Sequence, residues 1–248
     1  MQGDLVSINV IAYNSEKTIV ETLNSIKNQT YKNIELIVSD DGSSDRTVEL
    51  SKLWLDENKN EFVSSKLLTS CVNTGTSANA NRALFECGGV WLKEIAADDV
   101  LLPNCIERCL NYVSSNKFCN WLVGKSLIYL DVIDDEHLLA VNVAEEPEKY
   151  NDLNGPLEIQ KKAIVNYNFV EAPAVFIRCS TLKGIGGYDE QYKLMEDWPA
   201  WYKLIFRGEK CFFFDEYIVG YRSNENSVSL SSNKLFNIGF KKSEFLFL

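Results

Sequence analysis

Three pairs of adjacent carboxylates are the residues of this chain whose types and positions suit chemistry: Asp40-Asp41, Asp98-Asp99 and Glu196-Asp197. Asp98-Asp99 closes the apolar run Val90-Trp91-Leu92-Lys93-Glu94-Ile95-Ala96-Ala97 and stands just before a helix-opening Leu102-Pro103-Asn104. Neighbouring carboxylates at a strand end repel each other and resist desolvation, so such a pair calls for a cation or a tight hydrogen-bond net. A single pair reads equally well as a helix cap with a solvated neighbour. Three in succession, at the carboxyl edge of one parallel sheet, could converge on the crevice where open α/β sheets bind ligands.

The elements that must position them follow from hydrophobic period. Val6 to Ala12 is a β-rich run; Asn14-Ser15 offers an N-cap, and Ile19, Leu23 and Ile26 recur at helical spacing. Ile34 to Ser39 repeats the strand, and a second helix after Asp45 carries Val48, Leu50, Leu53 and Trp54. A third strand is expected at Phe62 to Leu68. After the turn Asn73-Thr74-Gly75 comes a helix with Ala80, Ala83, Leu84 and Cys87 on one face, then a strand ending at Asp98. Strands alternating with helices imply right-handed crossovers and a mostly parallel, covered sheet.

Beyond Pro103 a helix over Asn104 to Ser114 turns Ile106, Cys109, Leu110 and Val113 inward, and Trp121 to Leu130 returns as a strand. Asp131 to Gln160 is acidic, weakly periodic and interrupted by Pro147 and Pro156, which predicts a mobile surface excursion. There follow a short strand at Ala174 to Ile177, a Gly184-Ile185-Gly186-Gly187 turn, a helix near Trp198 to Arg207 and an aromatic strand at Cys211 to Phe214.

Composition narrows the function classes. With 248 residues, 46% of them hydrophobic, the chain holds one large α/β domain. A formal charge of -10 argues against a nucleic-acid partner, whose phosphates demand Lys and Arg. The 7 cysteines are scattered without a C-x-x-C pair, which fits a reducing cytoplasm better than a disulfide framework. No signal-peptide pattern or transmembrane stretch is evident. The C-terminal Lys241 to Leu248 segment could touch a membrane or partner, although a packed or frayed terminus is the simpler expectation.

The ordered motifs Val6 to Asn14, Asp40-Asp41-Gly42-Ser43-Ser44-Asp45, Asn73-Thr74-Gly75, Asp98-Asp99, Gly186-Gly187-Tyr188-Asp189-Glu190 and Glu196-Asp197-Trp198 together resemble those of family 2 glycosyltransferases, over roughly Val6 to Arg222. The resemblance implies an α/β GT-A fold: a Rossmann-like, mostly parallel central sheet with helices on both faces and a small antiparallel extension. It divides one domain, 1–248, into a nucleotide-binding half (1–102), an acceptor-binding half (103–225) and a tail (226–248). The implied activity is an inverting transfer of a hexosyl unit from a UDP-sugar to a hydroxyl of a glycan acceptor. By analogy the acceptor is a lipid-linked oligosaccharide of bacterial surface polysaccharide (O-antigen or capsule) assembly, which places the enzyme in the cytoplasm or at the inner membrane face.

Carried onto this sequence, the resemblance has Ala12, Tyr13 and Asn14 lining the base pocket and Asp40 accepting from uracil N3, with Asp41 able to do either that or cap the next helix. Asn73 and Gly75 form the turn near the nucleotide, an ordinary turn being the plainer alternative. Asn81 matches a family Asn, whereas the preceding Arg is Ala80 here. Asp98 and Asp99 would hold Mg²⁺ or Mn²⁺ against the diphosphate. The first Asp of that element is replaced by Ala96, which makes Asp98 the main ligand, leaves Asp99 to help or to bind sugar, and implies weakened metal dependence. Asp197 would be the catalytic base, with Glu196 orienting it or binding acceptor; the plainer alternative is two acids in a first helical turn. Arg222 would pair with phosphate oxygens, and Asn224 replaces a family His. A nucleotide-sugar-binding module that has lost catalysis is the competing expectation, motivated by Ala80, Ala96 and Asn224. A nucleotidyltransferase would need a Gly-rich, basic loop after the first strand, which the chain lacks.

Overall fold

The structure is a computed structural model that describes residues 3–141 and 152–223. Pro147, Asn224 and the 226–248 tail lie outside the described residues.

The first hundred residues build four parallel strands with intervening helices: β1 (Val6–Ala12), α1 (Ile19–Lys27), β2 (Ile34–Asp40), α2 (Thr47–Asn58), β3 (Ser64–Thr69), α3 (Thr76–Glu86) and β4 (Trp91–Ala96). Every residue of β2 is buried, as expected of a strand covered on both faces. In α1 the buried residues are Ile19, Thr22, Leu23 and Ile26, the stripe its period implies. α2 buries Thr47, Ser51, Trp54 and Leu55, while Leu53 is 53% exposed.

The remaining elements are β5 (Val100–Leu101), α4 (Cys105–Ser115), β6 (Trp121–Leu130), β7 (Leu138–Val141), α5 (Leu157–Ile164), β8 (Val175–Arg178), α6 (Cys179–Gly184), α7 (Asp197–Phe206) and β9 (Phe212–Ser223). One sheet runs β3-β2-β1-β4-β8-β6-β9-β5, with β7 paired to β6. β8 is antiparallel to both β4 and β6, so it is here that the parallel nucleotide-fold-like half passes into the antiparallel extension.

Three expectations need correction. The aromatic strand does not stop at Phe214: β9 continues to Ser223 alongside β6, carrying Tyr221 and Arg222 back to the site. The 131–160 stretch is only partly a surface excursion, because β7 pairs with β6 and Gln160 is wholly buried, donating to the Leu153 and Cys211 carbonyls (3.0 and 2.8 Å) while accepting from the Cys211 N–H (2.9 Å). Glu196-Asp197 follows the loop after α6 rather than a strand, so α7's packing delivers it to the cleft. That packing is aromatic: Trp201 of α7 stacks on Trp121 of β6, ring centroids 5.3 Å apart.

Candidate active site

A cleft of about 1370 Å³ opens beside the carboxyl ends of β1 and β4, bounded across by α7 and the 168–173 segment. Pockets for one small ligand usually hold about 300–1,000 Å³, so this one has room for two substrates side by side.

At its first wall the loops after β1 and β2 are stitched together. Asn14, in left-handed backbone (φ 50°), accepts at its side chain from the Ser44 N–H (2.9 Å) and donates its own N–H to the Ser43 hydroxyl (2.8 Å). Ala12, Tyr13 and Asn14 line the cleft, Tyr13 with its ring 45% exposed. Asp40 does not line it. Its carboxylate accepts from the Gly42 and Ser43 N–H groups (3.1 and 3.0 Å) and from the Ser43 hydroxyl, closing a local turn. The acid that faces the cleft is Asp41, which accepts from the Thr74 and Gly75 N–H groups (2.8 Å each), the Thr74 hydroxyl (2.5 Å) and Arg82 (3.1 Å).

Asn73 and Gly75 also line the cleft. Gly75 is required by its positive φ of 98° and because a Cβ there would meet the Lys193 carbonyl at 2.9 Å. Asn81, which the resemblance counts among the cofactor-binding residues, has another place. It lies outside the cleft, donates to the Tyr188 carbonyl (2.8 Å) and Glu190 (2.9 Å), and accepts from the Tyr188 N–H (2.8 Å), which ties α3 to the loop that leads into α7. Arg82, the next residue of α3, is outside the cleft lining, and its guanidinium spans Asp41, Asn79 and the Asp40 carbonyl. Asn79 and Arg82 stand three apart on α3, a helical-face signal present in the sequence.

Asp98 and Asp99 occupy the tight turn between β4 and β5. Asp99 is 1% exposed; one carboxyl oxygen accepts the Arg222 N–H (2.8 Å), while Oδ2 has no partner among the described residues. Burial raises the pKa of both acids, and the charge on Asp98 pushes Asp99 well up. Arg222 lines the cleft but is a tether in this structure. Its Nε donates to the Asp98 carbonyl (2.8 Å), and its terminal nitrogens to the Asp131 carbonyl and to Glu21 (2.5 Å).

Two carboxylates, one with an orphaned oxygen, suit a hard divalent cation, which typically takes one or two protein carboxylates plus phosphate and water. No set of three or more His, Cys, Asp or Glu among the described residues could hold a metal alone. Asp98 and Asp99 are the residues that would hold such a cation, with its remaining ligands supplied from elsewhere.

On the far wall Glu196 and Asp197 open α7. Asn168 donates to Asp197 Oδ2 (2.6 Å), and its amide is fixed because its own oxygen accepts the Val170 N–H (3.1 Å). Burial raises Asp197 above the usual carboxylate range; burial and the charge of Asp197 push Glu196 up to about 8. Glu94, on the cleft face of β4, is held up at about 7 by burial. Asn168, Arg82 and Glu94 were not singled out from the sequence. Glu94 had a visible signal, a charge inside an apolar strand run; Asn168 had none.

An open, mostly parallel sheet with a carboxylate-lined cleft at its carboxyl edge, extended by antiparallel strands, defines the GT-A type of glycosyltransferase. The model of Glycosyl transferase family 2 matches residues 7–158, and the chain belongs to that family. It is 28% identical over 251 residues, 96% of this chain and 71% of the relative, to an uncharacterized glycosyltransferase of Haemophilus influenzae. It is 25% identical, over 96% of this chain and 88% of the relative, to the Escherichia coli UDP-Glc:alpha-D-GlcNAc-diphosphoundecaprenol beta-1,3-glucosyltransferase WfaP. The fold is shared with S. aureus TarS in complex with UDP-GlcNAc (TM-score 0.70, 19% identity, 97% of this chain, 64% of that one). It is also shared with a Pyrobaculum calidifontis mannosyltransferase solved with GDP-Man and Mn²⁺ (TM-score 0.64, 17% identity, 93% and 58%).

Proposed function

We propose that this family 2 glycosyltransferase is an inverting hexosyltransferase that moves a sugar from a UDP-sugar to a hydroxyl of a lipid-linked glycan in bacterial surface polysaccharide assembly. The observation that carries the reading is that one cleft holds two separate carboxylate pairs, Asp98-Asp99 and Glu196-Asp197, each with its own fixed partner, Arg222 and Asn168. A relative that uses UDP-Glc and a diphosphoundecaprenol-linked acceptor supports the choice of substrates.

In this reading the β1, β2 and α3 loops receive the nucleotide. Asp41, locked by Thr74, Gly75 and Arg82, offers a fixed acceptor at their junction. Asp98 and Asp99 would hold Mg²⁺ or Mn²⁺, which when bound offsets charge growing on the UDP leaving group. Asp197 removes the proton from the attacking hydroxyl on the face opposite the leaving group, which gives inversion. Asn168 favours its ionised form, and Glu196, protonated below about pH 8, adds no second charge to oppose it. No helix of the described residues is long and apolar enough to cross a membrane.

The test is Asp197→Asn with UDP-glucose and UDP-N-acetylglucosamine as donors, the released or transferred sugar being followed by mass. Transfer is expected to fall below detection while calorimetric affinity for UDP with Mn²⁺ stays within about twofold. Unchanged turnover would remove Asp197 from the mechanism.

A further inference from the structure

Among the described residues, four that line the cleft each have a buried polar atom without a hydrogen-bond partner: Glu94 Oε2, Asp99 Oδ2, Ser126 Oγ and Trp201 Nε1. Asp99 belongs to the diphosphate end. The other three come from β4, β6 and α7 and line the same cleft. On β8, Phe176 is paired with both Lys93 and Leu122, and Val175 with Val123, so β8 lies between the strands that carry Glu94 and Ser126. Between Val123 and Ser126 the pairing of β6 with β9 is irregular, and it is Ser126 and Ile128 that line the cleft along with Val175. Trp201 also lines the cleft, its ring stacked on Trp121, two residues before Val123. It is also one helical turn beyond Asp197, on the same face of α7.

Buried polar atoms are normally paired, so three orphans on one lining point to a ligand that supplies the partners. We propose that Glu94, Ser126 and Trp201 form a subsite for the hydroxyl groups of a pyranose ring beside the base. The donor pattern fits that class. An indole N–H only donates, a serine hydroxyl donates and accepts, and a carboxyl accepts and, when protonated, also donates, which is the complement of vicinal hydroxyls. The apolar side chains of Leu92, Val175 and Ile177, which also line the cleft, offer a surface for the ring's C–H face. The subsite rests on the nucleotide-sugar reading of the cleft, and two sugars could fill it: the donor's hexosyl group or the acceptor's terminal unit.

The experiment uses Trp201→Phe, which keeps an aromatic ring on Trp121, together with Ser126→Ala and Glu94→Gln. Calorimetry with Mn²⁺ measures UDP, UDP-glucose and UDP-N-acetylglucosamine; saturation-transfer NMR on the UDP-loaded protein measures methyl β-glucoside and methyl β-N-acetylglucosaminide. UDP affinity is expected to hold in every variant. A loss of about five- to tenfold for a UDP-sugar assigns the subsite to the donor, and a similar loss confined to the glycosides assigns it to the acceptor. If Ser126→Ala and whichever other variants fold bind both kinds of sugar as the wild type does, the subsite is wrong. Failure of the wild-type protein to bind UDP at all overturns the nucleotide-sugar reading itself, and the subsite with it, a result distinct from the first.

Discussion

Replacing Asn168 by alanine is expected to raise the pH at which Asp197 can act as a base. The Asn168 amide donates to the carboxylate at 2.6 Å and is itself held by the Val170 N–H, so it favours the ionised form without needing to reorganise. A hydrogen bond to a charged group contributes about 1.5–3 kcal/mol, and one pKa unit corresponds to about 1.4 kcal/mol, which gives a rise of about one to two units. Asp197 keeps partial access to the cleft, so water compensates for some of the loss and about one unit is the better figure. The sign follows from the base having to be ionised. With the donor gone the carboxyl holds its proton to higher pH, and activity falls below the limb while recovering above it. The assay is kcat/KM against pH from about 5 to 9 with one UDP-sugar and Mn²⁺. The acid limb should move up, with the alkaline rate within about threefold of wild type. A limb that stays in place, whether the rate drops uniformly or not at all, would show that Asn168 does not act through the charge of Asp197.

Other outcomes follow from the same contacts. Arg222→Met removes the tether between the Asp98-Asp99 turn, Asp131 and Glu21; because Glu21 is half-exposed, the expected loss is about 2–4 kcal/mol in chemical denaturation, with weaker Mn²⁺-dependent UDP binding. Unaltered metal dependence would reduce Arg222 to a packing role. Gly75→Ala forces a side chain into positive φ and onto the Lys193 carbonyl, at about 2–3 kcal/mol, and should lower Tm by about 5–10 °C. Glu94 has its folded pKa raised from 4.5 to about 7, so its stabilising contribution is complete below about pH 4.5 and is lost as the pH rises through about 7. Glu94→Gln cannot titrate, and its Tm relative to wild type should therefore rise between pH 5 and 8, by about 1–3 kcal/mol of stability; a difference independent of pH would mean that Glu94 is not protonated in the fold.

The βα order of the first half was legible because each strand and helix carries its own local period: Val6 to Ala12, Ile34 to Ser39 and the Ile19, Leu23, Ile26 stripe all fall where period places them. The second half was less so. β9 runs on through Asp215 and Glu216, which break its apolar pattern yet are tolerated because the strand pairs along β6 and leaves them exposed. Gln160 sits in a polar-looking stretch, and only the Leu153 and Cys211 backbone groups that it satisfies make it a core residue.

By itself the sequence determined which carboxylates are adjacent and which elements carry them, because adjacency and hydrophobic period are properties of the chain. Tertiary structure alone decided their company. Asp40 turned inward to its own loop while Asp41 met Arg82; Asn81 joined Tyr188 while Asn168 found Asp197; and Glu94, Ser126 and Trp201 came to line one cleft. A side chain's hydrogen-bond partner is chosen by the packing of distant segments, and the separation of 29 positions from Asn168 to Asp197 leaves no periodic trace of that choice.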